Sequence, residues 1–268
     1  MSQENSTWEA PPVMLTVAGS DCSGGAGLQT DIKTAHSMGV YALSAVTCVV
    51  SEMPGQVRGI QEIETAMVAD QVRLCLGGFP VKAIKTGMLY SPPIVSVLAA
   101  ELFGKHLPLV VDPVMIATAG SSLMKKEAIE VYESELIPLA TLLTPNLDEA
   151  ALLLGSEPLT DESQLEDAAA QMAFRYKCAI LLKGGHLTTD CHDILMTKEG
   201  ELHRWSRPKI VDVMTHGTGC TLSAAVTAGL ALGKPLVQAV EDGLNFVGEA
   251  IASHYRWEAP RKVDALRV

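Results

Sequence analysis

The chain has 268 residues, of which 48% are hydrophobic and 19% charged. This composition allows a large buried core and argues against a disordered chain. The formal net charge of −11 argues against a nucleic-acid partner, because nucleic-acid binding usually needs a basic face. The first dozen residues are polar, unlike a signal peptide, and no apolar run is long enough to cross a bilayer. We therefore expect a cytoplasmic protein with no membrane partner.

The first half of the chain alternates short apolar runs with helical patterns. Apolar runs predict buried strands, and apolar residues at helical spacing predict the helices between them. A serine followed by a proline, at 91–92, marks the start of one of these helices. The predicted elements are strand 13–18, helix 27–38, strand 42–50, helix 66–76, strand 81–85, a helix from residue 92, strand 107–111, helix 125–136 and strand 141–143.

The second half continues the alternation and adds one hairpin. Its predicted elements are helices 147–154 and 163–176, strand 178–182, hairpin strands 192–197 and 201–206, and helices 218–232 and 235–254. Repeated strand–helix alternation predicts a mostly parallel sheet with helices on both faces. We expect one domain over 1–268, with polar tails at 1–12 and 256–268. Ligands of such sheets bind beyond the carboxyl ends of the strands.

A glycine-rich segment, 19–27, follows the first predicted strand. Its sequence, Gly-Ser-Asp-Cys-Ser-Gly-Gly-Ala-Gly, lets the backbone approach a ligand closely and start a helix. The spacing matches neither a Walker A loop nor a dinucleotide fingerprint. Taken alone, the segment is either a ligand-facing loop or a tight strand-to-helix turn.

A second glycine-rich segment, Thr-His-Gly-Thr-Gly-Cys-Thr at 215–221, precedes a helix of small residues. Gly217 and Gly219 would present backbone N–H groups at the helix start, which makes an anion hole for a transferring phosphoryl group. Cys220 would lie at the positive end of that helix, where a thiol pKa is lowered, and could accept a proton from a substrate hydroxyl. The alternative is a glycine-rich helix start with a packed cysteine.

Three polar groups follow other predicted strands. Asp112 opens Asp-Pro-Val-Met, Asn146 and Glu149 form Asn-x-x-Glu, and Lys183 opens Lys-Gly-Gly-His. Each alone is more often a loop cap or a surface charge. Together, at the carboxyl ends of parallel strands, they could hold Mg²⁺, its waters and a polyphosphate.

Five motifs, in order AGSDCSGGAGLQTDIKT, VDPVM, TPNLDEAALLLG, LLKGGH and THGTGCTLSAA, resemble the hydroxymethylpyrimidine/phosphomethylpyrimidine kinase family of the ribokinase-like superfamily. The resemblance covers residues 13–255. It implies a three-layer α/β/α fold with a mostly parallel central sheet and no separate lid domain. It also implies a homodimer that uses ATP and Mg²⁺ to convert 4-amino-5-hydroxymethyl-2-methylpyrimidine to its monophosphate and then to its diphosphate in thiamine biosynthesis.

The resemblance also assigns roles to residues. It implies that Cys220 is the catalytic base and that the amides of Gly217, Thr218, Gly219 and Cys220 form the anion hole. Asp112 and Glu149 match positions near Mg²⁺. The ATP or phosphate contacts are Asp112, Asn146, Glu149 and Lys183. The pyrimidine contacts are Gly19, Asp31, Val50, Glu52, Met88 and Val114, with the Glu52 carboxylate suited to a ring nitrogen and an exocyclic amine.

Two other functions stay open. The segment 48–55 departs from the family pattern, because Met53-Pro54-Gly55 replaces residues that are usually polar. A pyridoxine or pyridoxal kinase on the same scaffold is therefore the alternative enzyme. A non-catalytic nucleotide- or vitamin-binding regulatory module is the third hypothesis, and the intact Gly217, Gly219, Cys220 and Lys183 argue against it.

Overall fold

The computed structural model describes residues 9–115, 126–185, 190–214 and 216–268. Its strands are β1 Val13–Asp21, β2 Tyr41–Met53, β3 Gln56–Glu62, β4 Val81–Thr86, β5 Leu109–Val111, β6 Leu142–Leu143, β7 Ala179–Gly184, β8 Asp190–Met196, β9 Leu202–Pro208, β10 Tyr255–Trp257 and β11 Val263–Ala265. Its α-helices are α1 Gly27–Ser37, α2 Thr65–Gly78, α3 Pro92–Leu102, α4 Lys126–Val131, α5 Leu147–Leu154, α6 Ser163–Tyr176, α7 Thr218–Ala231 and α8 Leu236–Ala252. A π-helical turn, Tyr132–Leu136, and a 3₁₀ turn, Ile137–Leu139, continue α4.

The central sheet has nine strands in the described part of the chain, in the order β3-β2-β1-β4-β5-β6-β7-β8-β9. In this order the neighbours from β2 through β1, β4, β5 and β6 to β7 pair in parallel. At the edges, β3 pairs antiparallel with β2, β8 with β7, and β9 with β8. After β1 the chain first adds β2 on one side of β1, and later adds β4 on the other side of β1. Such a reversal of strand order opens a crevice at the carboxyl ends of the strands.

Helices cover both faces of the sheet. In β1, Leu15 and Val17 belong to the large core shared with α2, α3, α5 and α6. Met14, whose side chain points to the opposite face, packs with Ala35 of α1 and Ala228 of α7. The alternation follows from the two-residue period of a strand. The predicted three-layer α/β/α fold with a mostly parallel sheet is confirmed, and the described residues form no separate lid domain.

The sequence patterns missed β3. Its sequence, Gln-Val-Arg-Gly-Ile-Gln-Glu, is half-exposed or exposed throughout, so it carries no buried apolar run. It pairs with the distal half of β2, from Cys48 to Met53, which extends β2 beyond the predicted end. The resulting hairpin stands over the carboxyl end of β1, and its turn contains Gly55 with φ of 80°.

The expectation of a polar tail at 256–268 is wrong. β10 and β11 form an antiparallel pair, and Asp264, which is 1% exposed, ties it to the rest of the molecule. Its carboxylate accepts bonds from Arg256 Nε at 2.7 Å and from the Met214 N–H at 3.0 Å. A charge network holds this segment, so it carries no apolar periodicity. Of the predicted N-terminal tail, 1–8 lie outside the described residues.

No helix among the described residues is both long enough and apolar enough to cross a lipid bilayer. The single-domain organisation over 1–268 stays a prediction.

Candidate active site

A cleft of about 400 Å³ runs along the carboxyl ends of the parallel strands. Its walls come from the loops after β1, β4, β5, β6 and β7, from the start of α7, and from α8. The two glycine-rich segments and the polar groups predicted at strand ends therefore meet in one place, except for Thr215 and His186, which lie outside the described residues. The roles assigned to these residues stay predictions.

Asp21, the last residue of β1, organises the first glycine-rich loop. Its Oδ1 accepts the Ser23 N–H at 2.7 Å, and its Oδ2 accepts the Ser23 hydroxyl at 2.7 Å and the Ala26 N–H at 2.8 Å. His216 Nε2 lies 3.2 Å from the same Oδ2. Burial alone would raise the pKa of Asp21, but the bond with His216 and those from Ser23 and Ala26 lower it below its usual value. A buried carboxylate thus fixes the loop.

The second glycine-rich segment packs directly on the first. Gly217 caps α7 with φ of 83°, and a Cβ there would lie 1.8 Å from the carbonyl oxygen of Gly25. Both the backbone angle and the close approach require glycine. The first-turn N–H groups of a helix have no acceptor within the helix, so the start of α7, from Thr218 to Cys220, offers donors and a positive dipole end to an anion in the cleft.

Cys220 is partly exposed in this first turn and lines the cleft. The expectation that the helix start lowers its pKa is wrong, because burial raises the pKa of the thiol to about 11. The charge of Lys85 and the N–H of Gly27 act in the opposite direction but do not overcome burial. The thiol is therefore protonated at neutral pH in the protein without ligands.

Lys85 and Asp31 form a buried ion pair beneath the cleft. Lys85 Nζ lies 2.6 Å from Asp31 Oδ1, and both side chains are 0% exposed. The Thr16 hydroxyl donates to Asp31 Oδ2 at 2.6 Å. Burial would lower the pKa of Lys85, but Asp31 raises it above its usual value, so the ammonium keeps its charge. Asp31 pairs with Lys85 from below and is not among the residues that line the cleft, so its predicted contact with the substrate stays a prediction.

Asp112 lies at the end of β5, where three elements converge on it. Its Oδ1 accepts Lys183 Nζ at 3.0 Å and the Thr144 hydroxyl at 3.1 Å, and its Oδ2 accepts the Ser223 hydroxyl at 3.0 Å. Although burial would raise the pKa of Asp112, Lys183 and Lys85 hold it below its usual value. A Cβ on Gly219 would lie 3.3 Å from Lys183 Nζ. The lysine therefore reaches the helix start that would receive a phosphoryl group.

Asn146 and Glu149 form a capping box at the start of α5. Asn146 Oδ1 accepts the Glu149 N–H at 2.9 Å, and Glu149 Oε2 accepts the Asn146 N–H at 2.9 Å. Burial raises the pKa of Glu149 to about 7, against the lowering by Lys183. These bonds stabilise the helix start whether or not a ligand is present, while both side chains still line the cleft.

Mg²⁺ suits this corner of the cleft. The ion keeps several waters and takes one or two carboxylates together with substrate phosphates. Asp112 and Glu149 are both almost fully buried, at 2% and 3% exposure. Their oxygens already accept hydrogen bonds from Lys183 and Asn146, so contact through the waters of the ion fits the donor set better than a closed protein cage.

An apolar pocket lies at one end of the cleft. Cys48, Val50 and Met88 form its buried cluster, with Val57 and Val114 packed against it. Gly19 forms the floor, since a Cβ there would lie 2.9 Å from Cys48 Sγ and 3.6 Å from the sulfur of Met88. Gly19, Val50, Met88 and Val114, predicted as pyrimidine contacts, are thus brought together. Glu52 stands at the rim, with a pKa raised by burial and by Asp21.

The opposite end of the cleft has a second apolar surface. Its members come from α7, from α8, from the end of β9 and from the segment after it, and are Leu222, Leu244, Val247, Ile251, Pro208 and Ile210. Arg207 also lines the cleft, and it pairs with the buried carboxylate of Asp193. Its Nη1 is buried and has no hydrogen-bond partner among the described residues.

Sequence reasoning assigned no role to Lys85, His216, Arg207 or the α8 surface. Lys85 had a visible signal, because it follows the apolar pair Ala83-Ile84 in a strand, Val-Lys-Ala-Ile-Lys-Thr, whose residues other than Lys82 are all buried. Arg207 lies in an exposed antiparallel strand, where arginine is ordinary. Only the fold brings it to the cleft.

Comparison with known proteins agrees with the geometry. A family model described as phosphomethylpyrimidine kinase matches residues 21–263. The hydroxymethylpyrimidine/phosphomethylpyrimidine kinase of Streptomyces coelicolor is 42% identical over 247 residues, which are 91% of this chain and 90% of that protein. A relative from Schizosaccharomyces pombe is 41% identical over 90% of this chain, but the chain spans only 47% of its length, about half.

Solved structures of kinases are also similar to this chain. A phosphomethylpyrimidine kinase from Clostridium difficile has a TM-score of 0.79 at 34% identity, covering 89% of this chain and 99% of that one. A pyridoxal kinase from Bacillus subtilis in complex with ADP has a TM-score of 0.88 at 32% identity, covering 96% and 97%.

The three-layer fold, with a cleft that joins an apolar pocket to a helix start, an acidic pair and a lysine, defines a ribokinase-like small-molecule kinase. Within that class, the chain belongs to the phosphomethylpyrimidine kinase family.

Proposed function

We propose that the protein transfers the γ-phosphoryl group of ATP to 4-amino-5-hydroxymethyl-2-methylpyrimidine, and then a second phosphoryl group to the monophosphate, in thiamine biosynthesis. The observation that carries the proposal is the continuity of the cleft. The apolar pocket around Gly19 opens onto the amides of α7, and Lys183 stands beside the same amides. One acceptor and one polyphosphate can therefore meet at the start of α7.

The acceptor ring occupies the pocket of Val50, Met88 and Val114. A flat heteroaromatic ring suits a shallow apolar slot whose glycine floor allows close approach. Glu52 at the rim pairs with the ring nitrogen and the exocyclic amine, which gives the slot its polar specificity. The hydroxymethyl group then points toward Cys220.

ATP occupies the rest of the cleft. Its base packs on the apolar surface of α7 and α8, and Arg207 and Lys183 neutralise its phosphates. Mg²⁺ would be held by Asp112 and Glu149 through water and would offset charge on the phosphates. Phosphoryl transfer depends mainly on such positioning and charge stabilisation.

In the first transfer, the hydroxyl oxygen of the acceptor forms a bond to the γ-phosphorus while the bond to ADP breaks. The amides of Gly217 to Cys220 stabilise the charge on the transferring group. The hydroxyl proton passes to Cys220 when its thiol is ionised. In the second transfer the nucleophile is a phosphate oxygen that is already ionised at neutral pH, so the cysteine is needed less.

The pyridoxal kinase alternative shares this chemistry and differs only in the ring. Because the structures of pyridoxal kinases are similar to this chain, pyridoxal belongs in the assay as a competing acceptor. We expect the hydroxymethylpyrimidine to have the higher kcat/KM. The cytoplasmic location and the homodimer stay predictions.

The test is product analysis by ion-exchange chromatography, starting separately from the alcohol and from the monophosphate. The wild type should produce the diphosphate from both. Cys220→Ala should slow the first transfer by about 10²–10⁴-fold and the second transfer less, while ATP still binds. Cys75→Ala, in α2 outside the cleft, is the matched control. A wild type that stops at the monophosphate, or that prefers pyridoxal, would refute the proposal.

A further inference from the structure

Asp21, Glu52 and His216 form a cluster of which the proposed phosphoryl transfer uses only Glu52, as a contact to the acceptor ring. One ligand atom from each residue lies within 4.8 Å of the others. Asp21 is buried, and Glu52 and His216 line the cleft beside the acceptor pocket. We propose that this cluster is a binding site for a transition-metal ion of the Zn²⁺ class, separate from the Mg²⁺ corner at Asp112 and Glu149.

The distances favour such an ion. Two ligands at about 2.0–2.1 Å from a tetrahedral ion lie about 3.3 Å apart. The separation of Asp21 Oδ2 and His216 Nε2 is already 3.2 Å. The ion would replace the proton that these two atoms share. Glu52 needs only a small side-chain movement to complete a three-ligand set.

The cluster is held in place before any ion arrives. Asp21 is fixed by Ser23 and Ala26 through three hydrogen bonds of 2.7–2.8 Å. His216 directly precedes Gly217, whose position is set by close packing against Gly25. Two of the three ligands therefore lose little side-chain freedom on binding, which increases affinity.

The chemistry of the ligands selects the ion. One imidazole and two carboxylates suit Zn²⁺ or Co²⁺, whereas Mg²⁺ prefers an all-oxygen shell and keeps its waters. Three protein ligands leave a fourth position open, and here that position faces the acceptor pocket. The bound ion therefore takes up the Glu52 carboxylate, which the acceptor ring also needs. It competes with the acceptor but not with ATP. This competition rests on the proposed function, whereas the site itself does not.

Direct binding tests the site without any substrate. Zn²⁺ alone is titrated into the full chain by calorimetry, and Co²⁺ is followed by its visible absorption. We expect one ion per chain. Loss of a residue that merely supports a metal ligand weakens binding by about 10–100-fold, so His216→Gln and Glu52→Gln should each weaken Zn²⁺ binding at least that much. His36→Gln, an exposed histidine of α1, is the matched control and should bind as the wild type does.

Thiols are the main competing ligands, because Cys22 is exposed and its Sγ donates to the carbonyl oxygen of Glu52 at 3.2 Å. A sulfur-to-cobalt charge-transfer band that disappears in Cys22→Ser would assign the ion to the thiol and overturn the proposal. Equal Zn²⁺ affinity in His216→Gln and the wild type would also overturn it. If Zn²⁺ binds as expected but does not raise the acceptor KM, the metal site is supported and the proposed position of the acceptor ring at Glu52 is refuted.

Discussion

The buried ion pair of Asp31 and Lys85 predicts a large loss of folding stability when one partner loses its charge. Asp31→Asn keeps the shape of the side chain but leaves the Lys85 ammonium without its anionic partner. At the observed separation of 2.6 Å, the attraction is about 6 kcal/mol with an effective dielectric constant of about 20. Desolvation cancels part of this attraction, and removing one partner of a buried pair typically costs about 3–5 kcal/mol.

That cost should be visible as a lower melting temperature. A change of 1 kcal/mol shifts Tm by about 2–4 °C in proteins of 150–250 residues, so we expect Asp31→Asn to melt roughly 6–20 °C below the wild type. Thermal unfolding followed by circular dichroism measures the shift. The double variant Asp31→Leu/Lys85→Met should recover part of it, because apolar replacements remove the unpaired charge.

The pair Lys234–Asp242 is a matched control. Its N···O distance is also 2.6 Å, but its side chains are 38% and 29% exposed. Exposed pairs contribute about 0–1 kcal/mol, so Asp242→Asn should lower Tm by less than about 4 °C. Equal melting of the two single variants would refute the argument from burial. An unchanged Tm with a raised acceptor KM in Asp31→Asn would instead support the predicted contact of Asp31 with the substrate.

Two further changes test the cleft. Glu52→Gln should raise the acceptor KM more than the ATP KM in steady-state kinetics, because it removes a charge at the rim of the pocket; equal effects on both constants would mean that Glu52 is structural. Gly217→Ala should abolish turnover and should abolish the ATP binding that calorimetry measures, since its Cβ would lie 1.8 Å from the Gly25 carbonyl oxygen. Gly39→Ala is the control, because a Cβ there meets nothing within 4 Å although φ is also positive. The control variant should keep both turnover and ATP binding.

Local signals predicted the parts of the fold that depend on local chemistry. The bounds of α5 and α6 agree with the structure residue for residue. For α5 the reason is visible, because the capping box of Asn146 and Glu149 starts the helix and Gly155, with φ of 64°, ends it. β3 escaped prediction because an edge strand needs no buried face. Its partner, the distal half of β2, lies next to it in the chain, but β3 itself has no run of buried apolar residues to mark it.

The electrostatics of the site depend on residues far apart in the chain. Asp31 and Lys85 are 54 positions apart, and Lys183 and Asp112 are 71 apart. The sequence suggested a lowered pKa for the Cys220 thiol because that inference considered only the neighbouring residues at the helix start. The burial that raises the pKa arises from the packing of the first glycine-rich loop over α7, which the sequence did not show.

The raised pKa of Cys220 predicts a pH profile that distinguishes the two transfers. With a pKa of about 11, the fraction of thiolate at neutral pH is small and rises about tenfold with each pH unit. If thiolate accepts the proton of the alcohol, kcat/KM for the first transfer should rise about tenfold per unit between pH 7 and 9.

The second transfer starts from a phosphate that is already ionised above its second pKa of about 6, so its rate should stay nearly flat over the same range. Cys220→Ala should flatten the first profile, because no thiolate remains to form, and Cys75→Ala should leave both profiles unchanged. Initial rates with each acceptor, at saturating ATP and constant ionic strength, give the comparison. A flat first profile in the wild type would show that the proton leaves by another route, and Cys220 would then act through the shape of the helix start alone.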